Sequence, residues 1–110
     1  MNIEKKHDGA SLTITLTEPL ASGYADELEA SLANPGSAEK LAILDGVEEL
    51  IIDLAAVEYI SSAGLRILLM MHKKMSAQGK MTIKNASPAA MAIFNIAGFT
   101  RFLTIEIIPE

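Results

Sequence analysis

The sequence predicts an α/β domain: a mixed β-sheet with helices packed against it, in the order β-β-α-β-α-β-α-β. Three observations carry this. Residues 11–17, Ser-Leu-Thr-Ile-Thr-Leu-Thr, alternate apolar and polar with the period of a half-buried strand. The run Leu50-Ile51-Ile52-Asp53-Leu54 is nearly all apolar, which fits a strand covered on both faces. That run leads, through Ser61-Ser62-Ala63-Gly64, into helical periodicity that lasts to Gly79. A strand feeding a helix is the first half of a crossover unit.

Taken in order, residues 2–6 form a short first strand. His7-Asp8-Gly9-Ala10 follows, and Asp-Gly between two strand-like runs signals a hairpin turn. In the second strand Leu12, Ile14 and Leu16 face inward and the threonines outward; Glu18-Pro19 ends it. Ser22 is a candidate N-cap for a helix over 23–33, whose stripe is Tyr24, Leu28 and Leu32. Asn34-Pro35-Gly36-Ser37 breaks it, Ser37 caps one or two turns over 38–44, and Asp45-Gly46 turns the chain into the central strand. This connection is long for a compact domain.

The central helix begins at Ser61 or Ser62. Leu65, Leu68, Leu69, His72 and Ser76 fall on one face, with Met75 at its edge, at the spacing of a core-facing helix. Gly79 is a C-terminal stop, and Lys73 and Lys74 sit near the negative end of the helix dipole. A strand over 81–84 comes next. Ser87-Pro88 then starts a helix with an N-cap serine and a proline in first position, and Gly98 closes it. Phe102 to Ile107 is the last strand.

Composition narrows the function. The chain has 110 residues, half of them hydrophobic, which suits one globular domain over 1–110. Its net charge of -5 argues against a nucleic-acid backbone as partner. The absence of cysteine rules out disulfides and thiolate metal sites, and no cofactor motif is present. No apolar run is long enough to span a membrane and no signal core opens the chain, so a cytoplasmic protein without membrane association is expected. His7 and His72 have no second ligand at metal spacing, and no Gly-x-Ser-x-Gly elbow marks a hydrolase. No catalytic or metal site is expected, and the chain reads as no enzyme.

Two readings of Ser61-Ser62 stay open. Serine before a helix is ordinarily a cap, worth about 1 kcal/mol. Alternatively Ser62 is a phosphorylation switch, because the amino end of a helix accepts an anion and the added charge of about -1.5 to -2 changes the local surface. For Ala63-Gly64, the readings are tight packing of the turn or a bare backbone that lets a partner approach the serine. Rotation by 100° per residue puts Ala63, Ile67, Met70 and Lys74 opposite the inward face. Outward Ile67 and Met70 below Ser62 are then either covered by another helix or form an apolar contact strip; a partner surface is favoured.

The stretch Leu50 to Leu69, with its strand, Ser61-Ser62-Ala63-Gly64 and helix, resembles the signature of STAS domains, the anti-sigma factor antagonist family. Ser87 to Phe99 resembles that family's later helix, and Phe102-Leu103-Thr104-Ile105 its last strand. The resemblance implies partner switching. The unphosphorylated form binds an anti-sigma factor that is also a serine kinase and frees a sigma factor. Phosphorylation of Ser62 ends binding, and a metal-dependent serine phosphatase resets it. The implied partner surface is Ser61, Ser62, Ala63, Gly64, Ile67 and Met70. Two departures stand out: Ala21 occupies a place where family members often carry Asp near the phosphoacceptor, and the 34–47 segment is longer than usual. The alternative is a STAS module without phosphorylation, acting as a scaffold or binding a small anion or nucleotide.

Overall fold

The computed structural model describes residues 3–32 and 42–107. Strands β1 (Ile3–Asp8), β2 (Ser11–Leu16), β3 (Glu49–Asp53), β4 (Lys80–Ala86) and β5 (Thr104–Ile107) form one sheet in chain order. Helices α1 (Ser22–Ser31), α2 (Ser62–Ser76) and α3 (Pro88–Ala97) join the last four strands. The β1–β2 pair is antiparallel, and the β2–β3, β3–β4 and β4–β5 pairs are parallel. The expected order is therefore found. The hairpin turns at Gly9, which has φ 62°, and closes on the Asp8–Ser11 pair.

Three parallel crossovers step the same way along this sheet, and the right hand general to such crossovers lays their helices on one face. Register agrees. Leu12, Leu50 and Met81 stand side by side, as do Ile14, Ile52 and Ile83, and all are buried. The other face carries the rows Thr13–Ile51–Thr82–Thr104 and Thr15–Asp53–Lys84. The expectation that the central strand is covered on both faces is thus corrected. Ile51 is half-buried, lying between the β-branched neighbours Thr13 and Thr82.

Asp53 closes the top of β3. Its Oδ1 accepts from the Ala55 N–H at 3.0 Å, an Asx turn, and from Asn85 Nδ2 at 3.1 Å. Asn85 has φ 60°, at a register irregularity between β4 and β5. Its carboxamide bond to Asp53 ties the ends of two adjacent strands.

Tyr24, Leu28 and Leu32 are buried as the stripe of α1 predicts. Ser22 is the first helical residue instead of the cap; Ala21 holds that place and makes no side-chain cap bond. The proposed break at 34–37, the Ser37 cap and the turns over 38–41 lie outside the described residues; a short 3-10 helix spans Ala42–Leu44. Gly23 has open space around its α-carbon and an ordinary helical backbone. Gly23→Ala is expected to raise stability by about 0.5–1 kcal/mol, measured by urea unfolding.

The remaining elements shift by a few residues. Ser87 Oγ accepts from the Ala90 N–H at 3.1 Å, Pro88 follows it, and Gly98 caps α3 at φ 78°, all as expected. Strand β5 starts at Thr104, not Phe102. Phe102 packs its ring on His72 at 5.0 Å and on Phe99 at 5.2 Å. Gly79 is no left-handed stop: α2 ends at Ser76 with Ala77 as cap. Glycine is required there because a Cβ would collide with the Glu48 backbone, which accepts a bond from Lys80 N at 2.9 Å.

Candidate functional site

The loops after β2, β3 and β4 meet at the carboxyl ends of their strands, the usual place for a site in a parallel sheet. Leu20 forms an isolated parallel bridge with Ile60. Leu20 N donates to Tyr59 O at 2.8 Å, and Ser61 N donates to Leu20 O at 2.9 Å. Ser87 Oγ donates to Val57 O at 3.4 Å, which fixes the start of α3 to the same rim.

The two serines of this rim differ. Ser61 is the N-cap of α2: its Oγ accepts from the Gly64 N–H at 3.3 Å and donates to Leu20 O at 3.3 Å. Both hydrogen-bonding roles of its hydroxyl are used inside the fold. Ser62 is the first residue of α2 and is exposed, and no described residue hydrogen-bonds its side chain. Capping thus belongs to Ser61, and Ser62 is left facing solvent. Ser61→Ala is expected to lower stability by about 1–2 kcal/mol through loss of the cap and the Leu20 tether, read by chemical denaturation. It leaves the Ser62 hydroxyl accessible.

Gly64 is buried. A Cβ there would collide with Leu20 O and come 2.8 Å from Leu20 Cγ and 2.9 Å from Ile60 Cγ2. Tight packing of the turn is the reading that the geometry supports, and Gly64 offers a partner no surface. The outward strip is also corrected. Ile67 is 0% exposed and belongs to the core with Leu68, Met71 and Met75, while Leu65 and Leu69 are only partly buried. Almost every residue from Leu65 to Met71 is apolar, so periodicity alone does not single out a face; contact with α1 and β4 does. Ala63 and Met70 are half-buried.

His72 shares α2 with Ser62 but lies ten residues on, about 15 Å along the axis, too far to act as its base. His7 pairs with Leu12 in the edge hairpin, at the opposite end of β2 from the rim. Among the described residues, no group of three or more His, Cys, Asp or Glu could hold a metal ion.

Two neighbours of Ser62 do not emerge from the sequence pattern. Tyr59 is 54% exposed beside the serines. Arg66, which interrupts the apolar run of α2, donates to Glu29 Oε1 of α1 at 2.9 Å and to Met70 Sδ at 3.1 Å. Its place four residues after Ser62 was the available signal. The loop carrying Ala21 is bonded to Ser61 through Leu20, the residue before Ala21.

The geometry is thus a sequentially ordered mixed sheet with an exposed serine where β3 hands over to α2. The STAS domain family model matches residues 2–109, and the chain belongs to that family. BtrV of Bordetella bronchiseptica, a candidate anti-sigma factor antagonist, is 35% identical over 79 residues, 71% of this chain and 62% of BtrV. The match thus spans a little under two thirds of the relative's length. Among solved structures, an anti-sigma factor antagonist from Mycobacterium paratuberculosis superposes with a TM-score of 0.79 at 19% identity, covering 96% of this chain and 84% of that one. The phosphorylated form of the Bacillus cell-fate determinant SpoIIAA does so with a TM-score of 0.69 at 17% identity, covering 94% and 90%. At such identities these structures establish the shared fold. STAS members of the anti-sigma factor antagonist kind are regulatory non-enzymes. No described helix is long and apolar enough to cross a membrane.

Proposed function

We propose that this chain is a cytoplasmic anti-sigma factor antagonist controlled by phosphorylation of Ser62. In its unphosphorylated form it binds an anti-sigma factor with serine kinase activity, and a sigma factor is released. The kinase then transfers the γ-phosphoryl group of ATP to Ser62 Oγ: the new O–P bond replaces the bond to ADP, and the hydroxyl proton leaves. The complex dissociates, and a metal-dependent phosphatase hydrolyses the phosphoserine to restore the hydroxyl. The observation that carries this reading is the division of labour at the rim. Ser61 caps α2 and is tied to Leu20, so Ser62 is exposed and can be modified without loss of the cap. The names of the relatives support the partner class. The proposed contact surface is Ser61, Ser62, Ala63 and Met70, joined by Tyr59; Gly64 and Ile67 are dropped because they are buried.

The test is incubation with the host's anti-sigma serine kinase and ATP, followed by mass spectrometry. Phosphate on Ser62 is the expected result; its absence, with the kinase active on another substrate, ends the switch reading. Ala21 favours the second reading, a STAS module that is not phosphorylated. One residue after Leu20, which is bridged to Ile60, it carries a methyl group where the resemblance implies a carboxylate.

A further inference from the structure

Arg66 stands in a position to respond to a charge on Ser62. Residues four apart on a helix are surface neighbours, and an acidic group placed four residues before a cation is the favourable orientation. Ser62 and Arg66 are so spaced on α2, and both are exposed. The guanidinium is at present occupied on the α1 side: Nη2 on Glu29 Oε1 at 2.9 Å and Nη1 on Met70 Sδ at 3.1 Å, with the Arg66 side chain 52% exposed. Thioether sulfur is a weak acceptor, and an ion pair of that exposure is worth little. A phosphate dianion, with three acceptor oxygens, competes well for a planar guanidinium. Several other described cations are poorly placed to do so. Lys84 lies on the helix-free face of the sheet, beside Asp53. Lys73 and Lys74 are in the last turn of α2. Lys5 is bonded to Ser31 O.

We propose that Arg66 is the internal reader of a phosphoryl group on Ser62. Once the group is attached, the Arg66 guanidinium leaves Glu29 and Met70 and bonds the phosphate oxygens. No covalent bond changes in this step. The Arg66–Glu29 ion pair links α2 to α1, so modification of the rim loosens the hold of α2 on the last turns of α1. A local charge thereby becomes a change in how two helices are joined, away from the serine itself.

This inference rests on Ser62 as the modified residue, but its test needs no kinase. Phosphoserine is incorporated at position 62 during synthesis, in the otherwise native chain and in R66Q, and the phosphate is titrated by phosphorus NMR. With Arg66 bonded to it, the phosphate is expected to take up its second proton at a pH lower by roughly half a unit than in R66Q. Equal midpoints overturn the proposal and mean that the phosphate is held by backbone or solvent alone. Amide exchange gives the second readout. The last turns of α1 should exchange several-fold faster in the phosphorylated chain than in the unmodified one. E29Q should already exchange fast before modification and change little on it; a phosphate effect in E29Q as large as in the native chain overturns the relay. Neither readout depends on an anti-sigma factor. Failure of the phosphorylation reading, seen as an unmodified Ser62 in the kinase assay, is therefore distinct from failure of this one.

Discussion

A Gly64→Ala protein is expected to lose about 2–3 kcal/mol of stability and to melt roughly 8–15 °C below the wild type. The added methyl meets Leu20 O, a backbone atom held by its bond from Ser61 N, together with Leu20 Cγ and Ile60 Cγ2. A flexible side-chain tip could move aside at small cost. This carbonyl cannot, because Leu20 and Ile60 are bridged and both are buried. Either the bridge opens or α2 tilts away from the rim, and both displace Ser61 and Ser62. Circular dichroism melting of Gly64→Ala beside Gly23→Ala isolates the effect, since a methyl at Gly23 meets nothing within 4 Å. A melting temperature within about 2 °C of wild type for Gly64→Ala would show that the turn has slack and that the glycine has another purpose.

Ser62→Asp is expected to fold as well as the wild type and to bind the anti-sigma factor at least about 30-fold more weakly. The first half follows from position. A carboxylate in the first turn of a helix is neutral or mildly favourable, and the cap itself belongs to Ser61. The second half follows from docking. A charge desolvated at an interface without a partner costs about 2–5 kcal/mol, and each 1.4 kcal/mol is tenfold in affinity. Calorimetric titration against the host's anti-sigma factor, with urea unfolding of the same sample, separates the two halves. Unchanged affinity with intact folding would favour the module that works without phosphorylation.

Much of the fold was legible because its signals are local. Alternation in residues 11–17 places Leu12, Ile14 and Leu16 in the core without reference to any other segment. Asp8-Gly9 marks a turn through a backbone conformation that glycine adopts freely, and Ser87-Pro88 with Gly98 marks both ends of α3. At the site, the placing of a serine pair at the join of β3 and α2 was equally legible. Which serine does what was not. It depends on Leu20, 41 residues away along the chain from Ser61, whose carbonyl takes up the Ser61 hydroxyl.

The sequence by itself determined the element order, the inward residues of β2, the capped helix α3 and the family, since each rests on neighbours a few positions apart. Only the tertiary structure decided which side of α2 is buried. From Leu65 to Met71 nearly every side chain is apolar, so hydrophobicity has no preferred direction there, and the neighbouring α1 and β4 select Ile67, Leu68 and Met71. The same holds for Gly64 and Gly79. Their need for a bare α-carbon comes from backbone at Leu20 and Glu48 brought against them by folding, a distance that no local pattern encodes.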